Sequence, residues 1–237
     1  MIYEFMFIIS GYFMGSIPVG LILGWIKGID IRKHGSGNIG AANAFRILGK
    51  KLGITTMVLD MVKGAIAVLA ARFYLWFGNY DGFGTSPSDW YHLDPGFLLA
   101  CVAIMAVLGH SFPVWLKFKG GKSASVAAGV IFGINPIAFV ILYGVWILAL
   151  VKTRYTSLSN LISALTAPPL YWFFAGEKFF HNQSWWAAIV GIILVLFVTW
   201  RHKENIKRLF AGTERKLGQK EKIEEKSEDT KEVITTE

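Results

Sequence analysis

Two loops rich in glycine and basic residues lie between long apolar segments, and they are the parts of the chain best suited to bind an anion. The first loop is HGSGNIGAANAFR, His34–Arg46, and the second is KFKGGKS, Lys117–Ser123. Glycine lets backbone N–H groups turn toward an anion, while lysine and arginine supply the opposite charge. Arg46 can also hold a phosphate through two parallel N–H bonds. Together the loops predict a site for a phosphorylated compound.

Simpler interpretations of both loops remain open at this point. The first could be a flexible connection between helices, which accounts for its glycines but not for their mixture with asparagine and arginine. The second could be a basic anchor that contacts anionic lipid headgroups. Ser36 could act as a nucleophile, but no histidine is fixed beside it by the local sequence.

The apolar segments that separate these loops are long enough to cross a membrane. Hydrophobic residues make up 54% of the 237 residues, the mean hydropathy is +0.46, and crossing the hydrocarbon takes about 20 residues. Five long runs are Ile2–Ile26, Ile54–Phe77, Gly96–Leu116, Leu158–Ala175 and Trp185–Trp200. A further run, Ala124–Val151, is interrupted by Asn135 and Pro136.

The distribution of charge predicts the sidedness of these runs. Lys27–Gly53 carries six Lys/Arg and one acid, whereas Gly78–Pro95 carries three Asp and no Lys/Arg. The positive-inside rule therefore places the first segment in the cytoplasm and the second outside. The net charge of +8 is explained by this placement and does not indicate a nucleic-acid partner.

The run Ala124–Val151 decides the number of crossings. As one crossing it would leave Lys152, Arg154 and the basic chain from Arg201 outside, against the positive-inside rule. A break at Pro136 into two short elements returns all of them to the cytoplasm. The sequence thus predicts an all-α polytopic membrane protein with seven membrane helices, five long and two short, whose N-terminus is outside and whose C-terminus is cytoplasmic.

Residues 1–211 are predicted to form one integral membrane domain, and residues 212–237 a polar, disordered cytoplasmic tail. The single cysteine excludes an intrachain disulfide, and no His/Cys cluster has the spacing of a metal site. GGKS is not a Walker A loop, because Leu116 stands where the first glycine should be. Asp60 and Lys63 share a helix face inside a membrane segment, and we interpret them as a structural ion pair.

Three segments resemble the signatures of the bacterial acyl-phosphate:glycerol-3-phosphate acyltransferases, the PlsY family. The first combines HGSGNIGAANAFRILGKK with LDMVKG, the second is GHSFPVWLKFKGGKS, Gly109–Ser123, and the third is RHKENIKRLFAGTE, Arg201–Glu214. A shorter segment, Tyr155–Ser159, is similar to a serine-containing stretch of the family. The resemblance runs in order from about Gly11 to Glu214 and covers nearly all of the chain except the tail.

The resemblance implies a seven-helical enzyme of the bacterial cytoplasmic (inner) membrane, with its active site at the cytoplasmic face. It would transfer a fatty acyl group from acyl phosphate to the 1-hydroxyl of glycerol 3-phosphate, giving lysophosphatidate and phosphate. The resemblance calls for no CoA, acyl carrier protein, nucleotide, cofactor or metal, and for no general base from the protein. The alternatives are a diverged lipid-binding or weakly active paralogue and, as a third choice, a transporter of a phosphorylated metabolite.

The resemblance also assigns residues. The catalytic residues would be Ser36, Arg46, Lys122, His202 and Asn205. The substrate-binding residues would be Gly37, Asn38, Gly40, Asn43, Lys119, Gly120, Gly121 and Ser157. Within this set, the loop from Lys119 to Lys122 would hold the phosphate of glycerol 3-phosphate. The acyl phosphate head would lie against Ser36, Asn38 and Arg46.

The chain departs from the family pattern at two site positions. Ser123 stands where the family usually has glycine, and Ala42 stands where it usually has threonine. If position 123 is left-handed, a serine there costs about 1–2 kcal/mol.

Overall fold

A computed structural model of the protein describes residues 2–77, 93–175 and 185–219. These residues form ten α-helices and two short 3-10 turns, at Ile31–Lys33 and Val114–Leu116, and contain no strand. The helices are α1 Ile2–Ser16, α2 Val19–Ile26, α3 Ala41–Ile47, α4 Lys50–Phe77, α5 Pro95–Ser111, α6 Ala124–Ile134, α7 Pro136–Thr153, α8 Thr156–Ala175, α9 Trp185–Arg201 and α10 Lys203–Phe210. The all-α prediction is therefore confirmed for this part of the chain. The predicted outer loops at 78–92 and 176–184, and the chain from residue 220, lie outside the described residues.

Four helical segments in the described ranges are long and apolar enough to cross a membrane: Ile2–Ile26, Lys50–Phe77, Pro95–Leu116 and Pro136–Thr153. Two further apolar helices are shorter, Ala124–Ile134 and Ile189–Arg201. Large apolar side chains face outward along the bundle, as at Leu148 and Val151, which are 64% and 73% exposed. Hydrocarbon is the surrounding in which such a surface is stable. The count of seven membrane helices remains a prediction.

The predicted break at Pro136 is confirmed. Helix α6 ends at Ile134, and the Asn135 side chain begins α7 by accepting hydrogen bonds from the N–H groups of Ile137 and Ala138, each at 3.0 Å. Pro136 occupies the first turn of α7, where its missing N–H removes no helical hydrogen bond.

The prediction that both halves are short is wrong for the second. Helix α6 has 11 residues and, at about 1.5 Å per residue, reaches only about 17 Å. Helix α7 has 18 residues and reaches about 27 Å, close to the hydrocarbon thickness of about 30 Å. The hydropathy pattern located the break but underestimated how far the second helix continues, because its last turn includes the polar residues Lys152 and Thr153.

The first apolar run is also broken, which its hydropathy did not predict. Helix α1 ends at Ser16 and α2 begins at Val19, with Pro18 between them. The carbonyl of Ile17 accepts a hydrogen bond of 2.6 Å from the Lys63 ammonium. A polar partner of this kind allows a backbone break inside a membrane protein.

Glycines allow the central helices to approach closely. A Cβ at Gly129 of α6 would lie 1.8 Å from the Met61 carbonyl oxygen of α4, and one at Gly109 of α5 would lie 2.1 Å from the Tyr12 carbonyl oxygen of α1. Small residues are the usual means of close helix packing in membranes. These contacts bring α6 against α4 and the end of α5 against α1.

A buried polar cluster lies between α4 and the end of α5. The Lys63 ammonium is 2.7 Å from the Asp60 carboxylate and 3.0 Å from Nδ1 of His110. Asp60, Lys63 and His110 are all nearly inaccessible to solvent. The predicted ion pair between Asp60 and Lys63 is therefore confirmed, and the contact between Lys63 and His110 ties α4 to α5.

Candidate active site

A polar cavity of about 960 Å³ lies at the end of the bundle where the three signature segments meet. Nine of the thirteen predicted site residues line it: Ser36, Asn38, Gly40, Asn43, Arg46, Lys122, Ser157, His202 and Asn205. The other four, Gly37, Lys119, Gly120 and Gly121, do not line it. Folding thus unites residues that are more than 160 positions apart in the chain.

Asn43 shapes the first loop. Its amide nitrogen donates to the carbonyl oxygens of Ile31 and His34, at 2.9 and 3.2 Å. Its amide oxygen accepts a hydrogen bond of 2.9 Å from the N–H group of Ser36. Since the buried side chain is occupied in this way, Asn43 holds the backbone of Ser36 at the cavity wall.

The glycines of the first loop serve its turns. Gly37 has a φ of +68° and donates its N–H to the His34 carbonyl at 3.0 Å. This left-handed conformation is one that residues with a side chain rarely adopt. Gly40 precedes α3 and donates its N–H to the side-chain oxygen of Asn38 at 2.8 Å. The loop therefore presents Ser36 and Asn38 on a backbone fixed by internal hydrogen bonds.

The predicted role of the paired glycines in the second loop is corrected by the structure. The N–H groups of Gly120 and Gly121 donate to the carbonyls of Ser111 and His110, at 3.1 and 3.0 Å, and so are not turned toward an anion. A Cβ at Gly121 would lie 2.0 Å from Nε2 of His110. These glycines allow the loop to pack against the end of α5. Lys119 is exposed and outside the cavity lining.

Arg201 fixes the second loop from the opposite side. Its guanidinium donates to the Gly121 carbonyl at 2.6 Å and lies 5.3 Å from the centre of the Phe112 ring. The third signature thereby positions the second. Of the loop's three lysines, only Lys122 reaches the cavity.

Glu214 is the centre of the hydrogen-bond network in the cavity. One carboxylate oxygen accepts from Ser157 Oγ at 2.7 Å and from the Asn205 amide at 2.6 Å. The other accepts from Nε of Arg208 at 2.8 Å. Lys122 donates in turn to the amide oxygen of Asn205. Sequence reasoning missed Glu214 as a site residue, although an acid that closes a strongly basic signature was the available signal.

The charges in this network follow from its contacts. Burial acts to raise the pKa of Glu214, but the hydrogen bonds from Ser157, Asn205 and Arg208 outweigh it, and the pKa is lowered. Burial, followed by the positive charge of Arg208, lowers the pKa of Lys122 to about 8. Near neutral pH the network thus contains a carboxylate and a lysine that is still mostly protonated.

His202 lies in a chain of hydrogen bonds that fixes its tautomer. The indole N–H of Trp146 donates to the amide oxygen of Asn160 at 2.7 Å, which leaves the Asn160 amide nitrogen to donate to Nε2 of His202 at 3.2 Å. Nδ1 of His202 is 2.7 Å from the Val198 carbonyl and therefore carries the ring proton. Burial lowers the pKa of His202 to about 4, so the ring is neutral at neutral pH.

Residues 212–219 form part of the cavity wall. The Arg46 guanidinium donates to the Arg215 carbonyl at 3.3 Å, and the Leu217 N–H donates to the Arg154 carbonyl at 2.7 Å. Glu214, Arg215 and Leu217 thus line the cavity although they follow the boundary predicted at residue 212. A polar tail remains a prediction for residues 220–237.

Both departures from the family pattern lie at the cavity. Ser123 has a φ of 63°, so the left-handed conformation is confirmed. Its hydroxyl is 2.7 Å from the Val107 carbonyl oxygen and 2.7 Å from Ser111 Oγ. These contacts offset the cost of the conformation. Ala42 lines the cavity, where it leaves the space of a threonine side chain empty.

The cavity lining carries excess positive charge. Its basic residues are Arg46, Lys50, Lys122, Arg154, Arg208 and Arg215, and its acidic residues are Asp60, Glu204 and Glu214. Each of the three acids has a basic partner, in Lys63, Lys207 and Arg208 respectively. The balance of charge favours an anionic ligand.

A narrow apolar pocket of about 110 Å³ continues from the polar cavity into the bundle. Both are lined by Met57, Ala124, Ser125, Trp146 and Asn160. Beyond these shared residues, the pocket is lined mostly by alanine, aliphatic and aromatic side chains. An anionic head and an apolar chain would thus find adjoining places in one site.

This fold and site define the class of the protein, an integral membrane acyltransferase. The family described as glycerol-3-phosphate acyltransferase matches residues 5–212, and the chain belongs to it. The PlsY resemblance in the signature segments is confirmed.

Individual relatives agree. The chain is 43% identical over 211 residues to a glycerol-3-phosphate acyltransferase of Agrobacterium fabrum, covering 89% of this chain and 90% of that protein. It is 40% identical over 208 residues to one of Thermosynechococcus vestitus, covering 87% and 92%.

Two crystal structures of PlsY (YgiH), an integral membrane glycerol 3-phosphate acyltransferase, are similar in fold. The glycerol 3-phosphate form matches with a TM-score of 0.76 and 32% identity over 91% of this chain and 96% of that one. The lysophosphatidic acid form matches with a TM-score of 0.73 and 31% identity, over 90% and 95%.

Proposed function

We propose that this acyltransferase transfers a fatty acyl group from acyl phosphate to the 1-hydroxyl of glycerol 3-phosphate, with lysophosphatidate and phosphate as products. The observation that carries the proposal is the union of a cationic cavity with a narrow apolar pocket. Acyl phosphate has a phosphate head and an apolar chain, and the acceptor brings a second phosphate. The solved relatives contain glycerol 3-phosphate and lysophosphatidic acid, which are the acceptor and the product in this proposal.

The positive charge of the cavity supports a donor that is itself a phosphate. Two phosphate groups in one site repel each other unless cations lie between and around them. Arg46 and Lys122 both line the cavity and can separate the two groups, together with Arg208 and Arg215. We assign Ser36, Asn38 and Arg46 to the acyl phosphate head and Lys122 to the phosphate of glycerol 3-phosphate.

Ser157, Asn205 and Glu214 hold Lys122 rather than the substrates. Their hydrogen bonds are directed at one another and at the lysine. Gly120, Gly121 and Arg201 act in the same way on the loop backbone.

No general base from the protein is needed for this reaction. Acyl phosphate is a mixed anhydride and already activated, so correct positioning can supply about 7–11 kcal/mol of the barrier. His202 is a poor base, because both of its ring nitrogens are in hydrogen bonds and its pKa is lowered to about 4 by burial. We therefore assign it a positioning role.

The proton balance closes without the histidine. The 1-hydroxyl oxygen of glycerol 3-phosphate forms a bond to the acyl carbon, and the bond from that carbon to the phosphate oxygen breaks. The hydroxyl proton passes to the departing phosphate. Arg46 neutralises the negative charge that grows on that phosphate.

We place the site at the cytoplasmic face of a bacterial inner membrane, in a domain with seven membrane helices, an outer N-terminus and a cytoplasmic C-terminus. The charge asymmetry of the sequence supports this topology. A cysteine introduced at Ser88 should react with an impermeant thiol reagent added to intact cells, and one at Ser227 should not. Labelling of both from the outside would contradict the topology.

The donor is tested with purified protein, radiolabelled glycerol 3-phosphate and three separate donors: acyl phosphate, acyl-CoA and acyl-acyl carrier protein. We expect labelled lysophosphatidate only with acyl phosphate, together with an equal amount of released phosphate. Product from acyl-CoA but not from acyl phosphate would contradict the proposed donor. Binding of acyl phosphate without turnover would instead favour the diverged lipid-binding paralogue.

The acceptor assignment has a matched pair of variants within one loop. Lys122→Ala removes the cation that lines the cavity, and Lys119→Ala removes an exposed one outside it. We expect the first to raise the KM for glycerol 3-phosphate and the second to leave it unchanged. Equal effects would show that the loop acts only as a basic membrane anchor.

A further inference from the structure

The apolar pocket has a regular construction. Three of the helices that line it do so with residues at positions i, i+3, i+4 and i+7, which lie on one face of a helix. These residues are Phe139, Leu142, Tyr143 and Trp146 on α7, Asn160, Ser163, Ala164 and Ala167 on α8, and Gly191, Leu194, Val195 and Val198 on α9. Seven residues at about 1.5 Å each give the pocket a depth of about 10 Å beside the polar cavity.

The two ends of the pocket are distinct. Trp146 and Asn160 also line the polar cavity, so they mark the entrance. On α7, α8 and α9 the lining residues farthest from the entrance are Phe139, Ala167 and Gly191, and they lie at the opposite, deep end of the pocket. An acyl chain whose head lies in the polar cavity would have its distal carbons at this end.

One wall of the pocket is flat and aromatic. The rings of Phe139 and Tyr143 are stacked with centroids 5.2 Å apart, and those of Tyr143 and Trp146 with centroids 5.3 Å apart. Phe132 meets Phe139 edge-on at 5.4 Å behind the deep end. Phe139 is thus packed between two other rings, and its ring limits how far an acyl chain can extend into the pocket.

Small residues on α8 and α9 line the pocket toward its deep end. Ala164 and Ala167 lie on α8, and Gly191 lies on α9. A Cβ built on Gly191 meets no atom within 4 Å. A side chain can therefore be added at this position without a clash with the backbone.

We propose that Phe139, Ala167 and Gly191 determine the length of the acyl chain that the enzyme transfers. This inference rests on the proposed function. In a bilayer the chain moves from one hydrocarbon surrounding to another, so each added methylene gains little from burial alone. Discrimination between chain lengths must then come from steric fit at the deep end, where an overlong chain would overpack a firm wall.

The test is a competition among donors in one reaction. Octanoyl, lauroyl and palmitoyl phosphate are supplied together with glycerol 3-phosphate, and the lysophosphatidate species are quantified by mass spectrometry. The product ratios give the ratios of kcat/KM. Gly191→Leu fills the deep end and should lower the lauroyl-to-octanoyl ratio about tenfold or more.

Gly144→Leu is the matched control. Gly144 lies on α7 outside both cavities, and a Cβ built there also meets no atom within 4 Å. This variant should keep the donor profile of the parent. Phe139→Ala removes the aromatic ring at the deep end and should shift the profile in the opposite direction, toward palmitoyl phosphate.

The outcomes separate this inference from the proposed function. If the parent uses no acyl phosphate, the proposed function fails. If the parent is active and Gly191→Leu keeps its donor ratios, the assignment of chain length to this end is overturned. If Gly191→Leu is inactive with every donor, the profile of Phe139→Ala decides, and an unchanged profile overturns the inference.

Discussion

Substitution of Ser123 tests how a strained position in the second loop is stabilised. Its φ of 63° lies in the left-handed region, which costs a residue with a side chain about 1–2 kcal/mol. Its hydroxyl is 2.7 Å from the Val107 carbonyl oxygen and 2.7 Å from Ser111 Oγ, and each buried hydrogen bond contributes about 0.5–1.5 kcal/mol. The strain and the hydrogen bonds therefore nearly cancel.

Two variants separate the contributions. Ser123→Gly loses both hydrogen bonds and relieves the strain, so its stability should stay within about 1 kcal/mol of the parent. Ser123→Ala loses the same hydrogen bonds and keeps the strain, which should destabilise the protein by about 1–3 kcal/mol. The difference between the variants is the strain itself, about 1–2 kcal/mol.

The measurement is thermal unfolding of the three proteins in the same detergent at one scan rate. A change of 1 kcal/mol shifts the Tm of a chain of this size by about 2–4 °C. We therefore expect Ser123→Ala to unfold about 2–8 °C below Ser123→Gly. Equal Tm values for the two variants would show that the left-handed conformation carries no cost, and the reasoning would be refuted.

Three further predictions concern charge and geometry in the cavity. Because burial lowers the pKa of Lys122 to about 8, kcat/KM for glycerol 3-phosphate should fall as the pH rises through about 8 and the ammonium loses its proton. Lys122→Arg should move this fall in kcat/KM to higher pH. If the fall stays at the same pH, a group other than Lys122 causes it. Asn160→Asp replaces the donor to Nε2 of His202 with an acceptor, so the His202 pKa should rise from about 4. NMR of labelled histidine measures this pKa. An unchanged pKa would contradict the hydrogen bond between Asn160 and His202. Arg46→Lys keeps the charge but loses the planar fork, and it should fold normally while acyl transfer falls about 100-fold. Near-normal turnover in the Arg46→Lys variant would show that Arg46 does not bind the reacting phosphate.

Local sequence patterns predicted much of the fold. Apolar runs of about 20 residues predict membrane helices because backbone polar groups in hydrocarbon must be satisfied within the helix. Pro136 predicted the break between α6 and α7, since proline and the preceding asparagine act on the adjacent turn alone. The break at Pro18 was missed although the proline is a local signal. The partner of the Ile17 carbonyl at this break, Lys63, lies 46 positions away and could not be read from the local sequence.

The signature segments likewise located the site but not the role of each residue in it. Ser36, Arg46, Lys122 and Asn205 were predicted to meet, and all line one cavity. The paired glycines Gly120 and Gly121, by contrast, were read as an anion-binding turn and instead donate to the end of α5. Glycine at a close approach and glycine at an anion site look alike in sequence, because both reflect only the lack of a side chain.

What the sequence determined by itself is therefore what is encoded within a few turns of the chain: the length of the apolar runs, the helix break at Pro136 and the positive charge of the loops. Only the tertiary structure decided which polar groups form hydrogen bonds with each other. Glu214 accepts hydrogen bonds from Ser157, Asn205 and Arg208, which lie in different parts of the chain. Asn160 forms hydrogen bonds with both Trp146 and His202. Such partners are selected by the packing of helices against one another, and the buried polar atoms then bond to whatever that packing brings within about 3 Å.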